Sequence, residues 1–332
     1  MTVFFVTGCA GFIGSRVAEM LLERGDEVVG VDNRNDAYDV VLKDWRLDRL
    51  QRFSRFRFFE TDVADFEALS HVWKTGAAPY AAVYHLAARA GVRYSVTNPW
   101  VYLETNCRGT LNLLELCRAS GVAKFVFASS SSVYGNVSSS GKSAFSEEMQ
   151  TDAPCSPYAA TKKAAESLAY SYHHLHGLDI AALRFFTVYG PAGRPDMSIL
   201  RFVHGIYEGK PFRLYGDGTQ SRDFTFIDDI ARGVVAAAGV SGYKLLNLGG
   251  DHPFSVNTLI GMISEMIGKE PIFHRFPSHP ADVDSTWADI TRAKTLLGWQ
   301  PVVPLREGLE KTVEWYRQNR DWAKEMKTLS DI

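Results

Sequence analysis

Tyr158 and Lys162, four residues apart in the stretch SPYAATK, have the types and the spacing of a proton-transfer pair. On a helix, residues at i and i+4 share one face with their Cβ atoms about 5–6 Å apart, so the lysine reaches whatever the tyrosine reaches. A phenol of ordinary pKa near ~10 acts as a base at neutral pH only when its phenolate is stabilised, and a lysine ammonium and a helix N-terminus both do this. Ser156 suits an N-cap and Pro157 the first helical position, so the stretch reads as a helix opening. With 14 tyrosines in 332 residues, a match to this spacing arises by accident roughly half the time, and an ordinary amphipathic helix would look the same. The neighbouring stretches decide.

The first of these is TGCAGFIG. Val3 to Thr7 is a short apolar strand, Gly8, Gly11 and Gly14 follow it, and Phe12 and Ile13 open a helical pattern that ends near Gly25. Glycines at such a strand-to-helix turn let the backbone approach a pyrophosphate, whose charge the helix N-terminus stabilises. The next strand, Glu27 to Val31, runs into Asp32 and Asn33, at about the distance expected of a carboxylate that binds an adenosine ribose. Asp32 would repel a 2′-phosphate and so points to NAD; Arg34 just beyond it could accommodate NADP, or be a solvated loop cation.

Strand and helix patterns continue to alternate: Phe56 to Glu60, a helix from Phe66, Ala81 to Leu86, a helix from Pro99 to Ala119, Ala123 to Ala128, the tyrosine helix to Gly177, and Ile180 to Phe186. This rhythm predicts right-handed parallel crossovers, hence an α/β fold of the Rossmann type with a doubly wound parallel sheet. Asp62 and Val63, after the third strand, are placed to meet an adenine. Leu86, Ala87 and Ala88, after the fourth, leave room for a cofactor. His85 reads as a structural residue at a buried strand end. The polar segment from Gly135 to Ser156 reads as a loop, and from Ser198 the rhythm gives way to shorter mixed elements. The expected division is residues 1–186, mainly a cofactor domain, and 187–332, mainly a smaller mixed α/β substrate domain with some segments returning to the first.

A hydrophobic content of 46%, 22% charged residues and a net charge of −2 describe a globular chain with no basic bias, which argues against a nucleic-acid partner. No apolar run approaches the ~18 residues of a membrane span, and the opening MTVFFVTG enters a strand directly. A cytoplasmic protein is expected. Cys9, Cys107, Cys117 and Cys155 lack metal-ligand spacing and read as reduced thiols, and no metal site is expected.

Four motifs in order, TGCAGFIG, HLAA at 85–88, SSSSVYG at 129–135 and SPYAATK, resemble the extended short-chain dehydrogenase/reductase family of nucleotide-sugar enzymes. The resemblance implies tightly held NAD, a catalytic hydrogen-bonding role for Ser130, and catalysis by Tyr158 with Lys162. Within that family TVYGPAGRPDM at 187–197, DNRNDAYD at 32–39 and GVRYS at 91–95 are similar to the UDP-glucuronate 4-epimerases, whereas UDP-galactose 4-epimerases usually carry asparagine in place of Thr187. The implied reaction is inversion at C4 of a UDP-hexuronate through a 4-keto intermediate, with UDP-glucose and UDP-galactose as further substrates to consider. Also implied are a uracil run from Lys210 to Tyr215 that includes Arg213, a diphosphate contact at Arg222, a uridine ribose contact at Asp282, and a homodimer through helices near 99–119 and 157–176. Arg222 could instead pair with Asp228 or Asp229.

A 4-keto glucuronate is a β-keto acid that loses carbon dioxide when its C5–carboxylate bond aligns with the carbonyl π system. Arg194, Thr187 and Ser131 are the candidates for gripping that carboxylate, and for Arg194 the alternative is a loop-anchoring ion pair. A wrong grip would give a UDP-glucuronate decarboxylase. Water elimination is disfavoured, because family dehydratases place an acidic pair where Ser131 and Ser132 stand. A non-catalytic NAD-sensing module on the same fold is the alternative of another class. Two departures from the family pattern are Arg89, where glutamine is common, and Ala281, where glycine is usual. The aromatic tail at 296–319 reads as core.

Overall fold

Apolar runs rich in valine, isoleucine and phenylalanine build the centre of the molecule, because strands covered by helices on both faces need apolar side chains on both. The computed structural model describes residues 2–76, 79–136, 143–278 and 282–327. Ala281 and part of the loop expected after Gly135, residues 137–142, lie outside the described residues. In chain order the strands are β1 (Val3–Thr7), β2 (Glu27–Asp32), β3 (Phe56–Glu60), β4 (Ala82–His85), β5 (Lys124–Ser130), β6 (Asp179–Phe185), β7 (Thr187–Tyr189), β8 (Phe212–Tyr215), β9 (Ser221–Phe226), β10 (Tyr243–Leu248), β11 (Pro253–Ser255) and β12 (Phe273–Phe276). Seven of them form one sheet in the order β3-β2-β1-β4-β5-β6-β10, with every pair parallel.

The chain leaves β1 for β2 and β3 on one side and returns to β4 on the other, where Thr7 aligns with His85. The strand order therefore reverses between β1 and β4, and a crevice opens at their carboxyl ends. One face of the sheet packs on the helix Phe12–Glu23 and on Ile230 and Val234 of the helix Ile227–Ala237. The other packs on Leu69, Trp73, Leu113, Ala165 and Ala169.

The later half of the chain makes two small sheets, β11-β9-β7 and β12-β8. A further apolar cluster binds these to the helices Ser198–Glu208, Val256–Ile267 and Leu305–Gln318. Residue 186 is no clean boundary. β10 returns to pair with β6, while Trp45, from the helix Val41–Leu50, stacks edge-on against Trp315 at 5.6 Å. Trp315 is buried, so the aromatic tail is core.

The helix predicted from Pro99 to Ala119 is interrupted. It runs as Trp100–Tyr102, a widened π-type turn at Leu103–Arg108, and Gly109–Ser120. The extra residue in such a turn redirects side chains, and here the redirected one is Asn106, whose amide bonds Arg89 N (2.9 Å), Arg89 O (3.0 Å) and Thr161 Oγ1 (3.0 Å). Among the described residues no helix is long and apolar enough to cross a membrane.

Candidate active site at the sheet's carboxyl edge

The glycine turn closes tightly on the strand across the crevice. Gly8 has φ +71, and a Cβ there would stand 2.5 Å from Ala87 N; one at Gly14 would stand 2.1 Å from Gly8 O. Only glycine leaves this turn intact. Gly11 precedes the helix Phe12–Glu23 as an N-cap without a side-chain bond, and no acidic residue occupies the first turn. The free N–H groups beside Phe12 and Ile13 thus face the crevice end with a positive partial charge. A pyrophosphate fits this cradle.

Asp32 ends β2 and holds the same turn, accepting from Ala10 N at 3.1 Å and from Arg34 N at 2.8 Å. The Arg34 guanidinium turns away to Asp44 and Glu60. It is the loop cation of the two alternatives. Asn33 donates to Asp62 at 2.8 Å, and Asp62 also accepts from Ala64 N at 2.8 Å. Val63 beside it is buried against Gly109. Leu86 N and Ala87 N bond Thr7 O and Thr7 Oγ1, both at 3.2 Å, which fixes the start of the Leu86–Ala87–Ala88 segment. His85 bonds Thr7 Oγ1 and Thr110 Oγ1 through its two ring nitrogens, and burial pushes its pKa down to about 3, so it is a neutral structural residue.

The tyrosine helix, Pro157–His176, opens as its sequence requires: Ser156 Oγ accepts from Ala159 N at 3.1 Å and Pro157 takes the first turn. Ser130 ends β5 and accepts from Ser132 N at 3.1 Å. Burial raises the Tyr158 pKa, while Ser130 and the Arg194 guanidinium hold it down. Lys162, 4% exposed, donates to Ala128 O at 2.7 Å. Its burial lowers its pKa to about 8, against the pull of Cys107 and Glu166. Ser131 begins the short helical turn after Ser130.

Thr187 and Arg194 border the same small cavity. The Arg194 guanidinium pairs with Asp196, reaches Ala90 O at 3.4 Å and faces the Tyr38 ring at 5.7 Å. The loop-anchoring ion pair considered for Arg194 is therefore present, and the same side chain also acts on Tyr158. On the far side of the crevice, Arg213 and Tyr215 lie on β8 and Arg222 on β9. Arg222 donates to Ser221 O at 2.8 Å and Asp284 O at 3.3 Å. It does not take Asp228, which pairs with Arg16, or Asp229, which pairs with Arg232. Asp282 pairs with Arg93 at 2.6 Å.

Sequence reading passed over several residues of this region. Arg93 lies over the Tyr215 ring at 3.6 Å as well as on Asp282, joining two residues expected around one nucleoside. Lys43 and Arg46 are buried cations on the helix Val41–Leu50. Lys43 is held to a pKa of about 8, first by burial and then by Arg46, Arg89 and Arg194 against the attraction of Asp32. Arg89, the departure from the family pattern, thus adds to the positive potential that Lys43 meets. Under the serine run, Glu166 accepts from Ser129 at 2.6 Å and from Arg184 at 2.8 and 2.9 Å. The one signal for the Lys43–Arg46 pair was a helix face carrying cations among leucines in VLKDWRLDRL.

Residues 4–249 match the family described as NAD dependent epimerase/dehydratase. Over 328 residues the chain is 53% identical to the UDP-glucuronate 4-epimerase of Thermodesulfobacterium geofontis, covering 98% of this chain and 100% of that one. Its structure is similar to that of UDP-glucuronic acid 4-epimerase from Bacillus cereus in complex with UDP-glucuronic acid and NAD, with a TM-score of 0.88, 38% identity, and coverage of 96% of this chain and 100% of that one. It is similar also to UDP-glucose 4-epimerase from Thermotoga maritima with UDP-glucose, with a TM-score of 0.85, 32% identity and coverage of 96% and 100%.

Proposed function

The chain belongs to the NAD dependent epimerase/dehydratase family, and on that premise we propose that it interconverts UDP-glucuronate and UDP-galacturonate by inversion at C4. The observation that carries this reading is Arg194, a guanidinium that borders one small cavity with Thr187, faces the Tyr38 ring at 5.7 Å and helps to hold down the Tyr158 pKa. A cation beside the base is where a hexuronate, unlike a neutral hexose, would need one. The full-length likeness to UDP-glucuronate 4-epimerases supports the same substrate.

The residues present fit NAD. The glycine cradle and the open N-terminus of Phe12–Glu23 would take the pyrophosphate, Asp32 and Asn33 the adenosine ribose, and Asp62 with Val63 the adenine side. Leu86, Ala87 and Ala88 would line the passage toward Tyr158, and Lys162 would reach the second ribose. When bound, NAD supplies reversible oxidation at C4. Tyr158 takes the O4 proton as C4 is oxidised and gives it back after the keto sugar has turned over. Ser130, which helps to lower the Tyr158 pKa, orients O4. Arg194, with Thr187 and Ser131, holds the carboxylate out of line with the 4-keto π system. Arg213, Tyr215, Arg222 and Asp282 hold the UDP, and segments after residue 187 act mainly as the substrate domain.

The protein works as a homodimer in the cytoplasm. Four free thiols fit a reducing compartment, and exposed Trp100, Leu103 and Tyr170 fit a helix-to-helix interface. Incubation of the purified protein with UDP-glucuronate, UDP-glucose and UDP-xylose, followed by NMR of the C4 proton, tests the assignment. UDP-galacturonate is expected to form until the two epimers equilibrate. UDP-xylose or a 4-keto pentose as the main product would instead mark a decarboxylase, and no change in any sugar a binding module.

A further inference from the structure

We propose that Arg46 is a positioning residue that locks the turn carrying Arg194 to the glycine turn, and that it thereby sets how many 4-keto intermediates invert and how many lose carbon dioxide. This rests on the function proposed above. Arg46 is 2% exposed, yet no carboxylate among the described residues pairs with it. Its two terminal nitrogens meet neutral oxygens, while its buried Nε has no hydrogen-bond partner among those residues. Nη1 donates to Ala10 O at 3.1 Å and Tyr38 Oη at 2.6 Å; Nη2 donates to Ala192 O at 2.6 Å and Gly193 O at 3.3 Å. A buried guanidinium without a counter-ion is costly to desolvate. Its planar fork fixes the relative positions of two turns.

Both turns matter. Ala10 is held from its other side by the bond from its N–H to Asp32, so Arg46 grips the turn that would cradle the pyrophosphate. Ala192 and Gly193 directly precede Arg194. Ala192 has φ +53, a left-handed conformation that an L-residue keeps only under outside restraint. Arg46 also lies under Arg194 indirectly, because Tyr38 accepts its hydrogen bond and turns its ring toward Arg194. One side chain thus fixes the backbone behind the carboxylate-gripping cation and the ring beneath it.

Carbon dioxide is lost when the carboxylate rotates into line with the 4-keto group. The C5–carboxylate bond then breaks, and its electron pair stays at C5 and spreads onto O4 as an enolate. A proton is taken up at C5, leaving a UDP-4-keto-pentose. No oxidant is needed beyond the one that made the ketone. A looser Arg194 allows that rotation, and misplacement of a positioning group by 1 Å can change a rate by ~10²-fold.

The test uses the NAD-loaded protein and UDP-glucuronate isotopically labelled at its carboxyl carbon, with labelled carbon dioxide and labelled UDP-galacturonate measured by NMR. The ratio of their initial rates, taken before the epimers equilibrate, counts fates per turnover and does not depend on how much protein is folded. Arg46→Met is expected to raise the ratio about tenfold, and Arg46→Lys, which keeps the charge but cannot span four acceptors, about threefold. Melting temperatures are read alongside. A ratio unchanged in Arg46→Lys while its melting temperature falls makes Arg46 a fold staple and overturns the proposal; if Arg46→Met does not fold, the lysine variant decides alone. Wild-type protein that converts neither epimer overturns the proposed function itself, and is seen before any variant is made.

Discussion

Burial acts on Tyr158 and Lys162 in opposite directions, raising the phenol and lowering the ammonium, because in each case it disfavours the charged form. The tyrosine therefore needs its partners to act as a base, and Ser130 and Arg194 are the two that already act on it. Tyr158→Phe is expected to lower kcat by ~10²–10⁴-fold, the range of general acid–base catalysis, with UDP binding by calorimetry preserved. Near-normal turnover would remove Tyr158 from the mechanism. Lys162 carries a pH signature. Its folded value of about 8 lies below the ~10.4 of an unfolded lysine. Between those values the unfolded chain holds a proton that the folded chain has lost, so stability rises with pH across that window. Denaturant titrations of the cofactor-free protein at the two ends of the window are expected to show a smaller gain for Lys162→Met than for wild type. Equal gains would show that Lys162 titrates normally. Lys43, also held to about 8, adds to the same slope.

At the scale of elements, the helix Pro157–His176 serves as a ruler. Tyr158, Lys162 and Glu166 follow at four-residue spacing, so one helix face presents the base, a buried lysine and the carboxylate that anchors the serine strand through Ser129. Glu166→Gln would leave Arg184 buried without its ion pair, and a cost of ~3–5 kcal/mol is expected in urea unfolding. A loss below ~1 kcal/mol, the worth of an exposed pair, would mean that water reaches Arg184. These elements also mark what the sequence made legible. The glycine turn, Asp32, the tyrosine helix and the strand rhythm could be read because each is decided by neighbours a few residues away. The widened turn at Leu103–Arg108 could not, since an apolar helical pattern runs through it unbroken and only the amide contacts of Asn106 with Arg89 and Thr161 reveal it. Arg46 and Arg93 were missed for a related reason. Their partners Ala192 and Asp282 lie 146 and 189 residues away, and a lone arginine in a helical stretch looks solvated until the fold covers it.

At the scale of the molecule, the helices Gly109–Ser120 and Pro157–His176 pack side by side, and their outer surface with the preceding turn carries Trp100 at 74% exposure, Leu103 at 48% and Tyr170 at 54%. Contact between two copies through these helices would cover these exposed apolar side chains. If the proposed homodimer uses this surface, Trp100→Glu combined with Leu103→Glu is expected to halve the mass seen by light scattering, and a wild-type mass of one chain, or an unchanged dimer mass in the variant, would overturn that proposal. A last consequence concerns synthesis rather than the finished enzyme. β10 closes the sheet against β6, yet the chain makes it only after β7, β8, β9 and the helices between them. While the ribosome is still adding those segments, β6 presents an unpaired row of backbone donors and acceptors beside an apolar face, which is a template for another chain. A nascent chain arrested before Tyr243 would therefore be aggregation-prone even though the glycine turn, Tyr158 and Lys162 have all been translated.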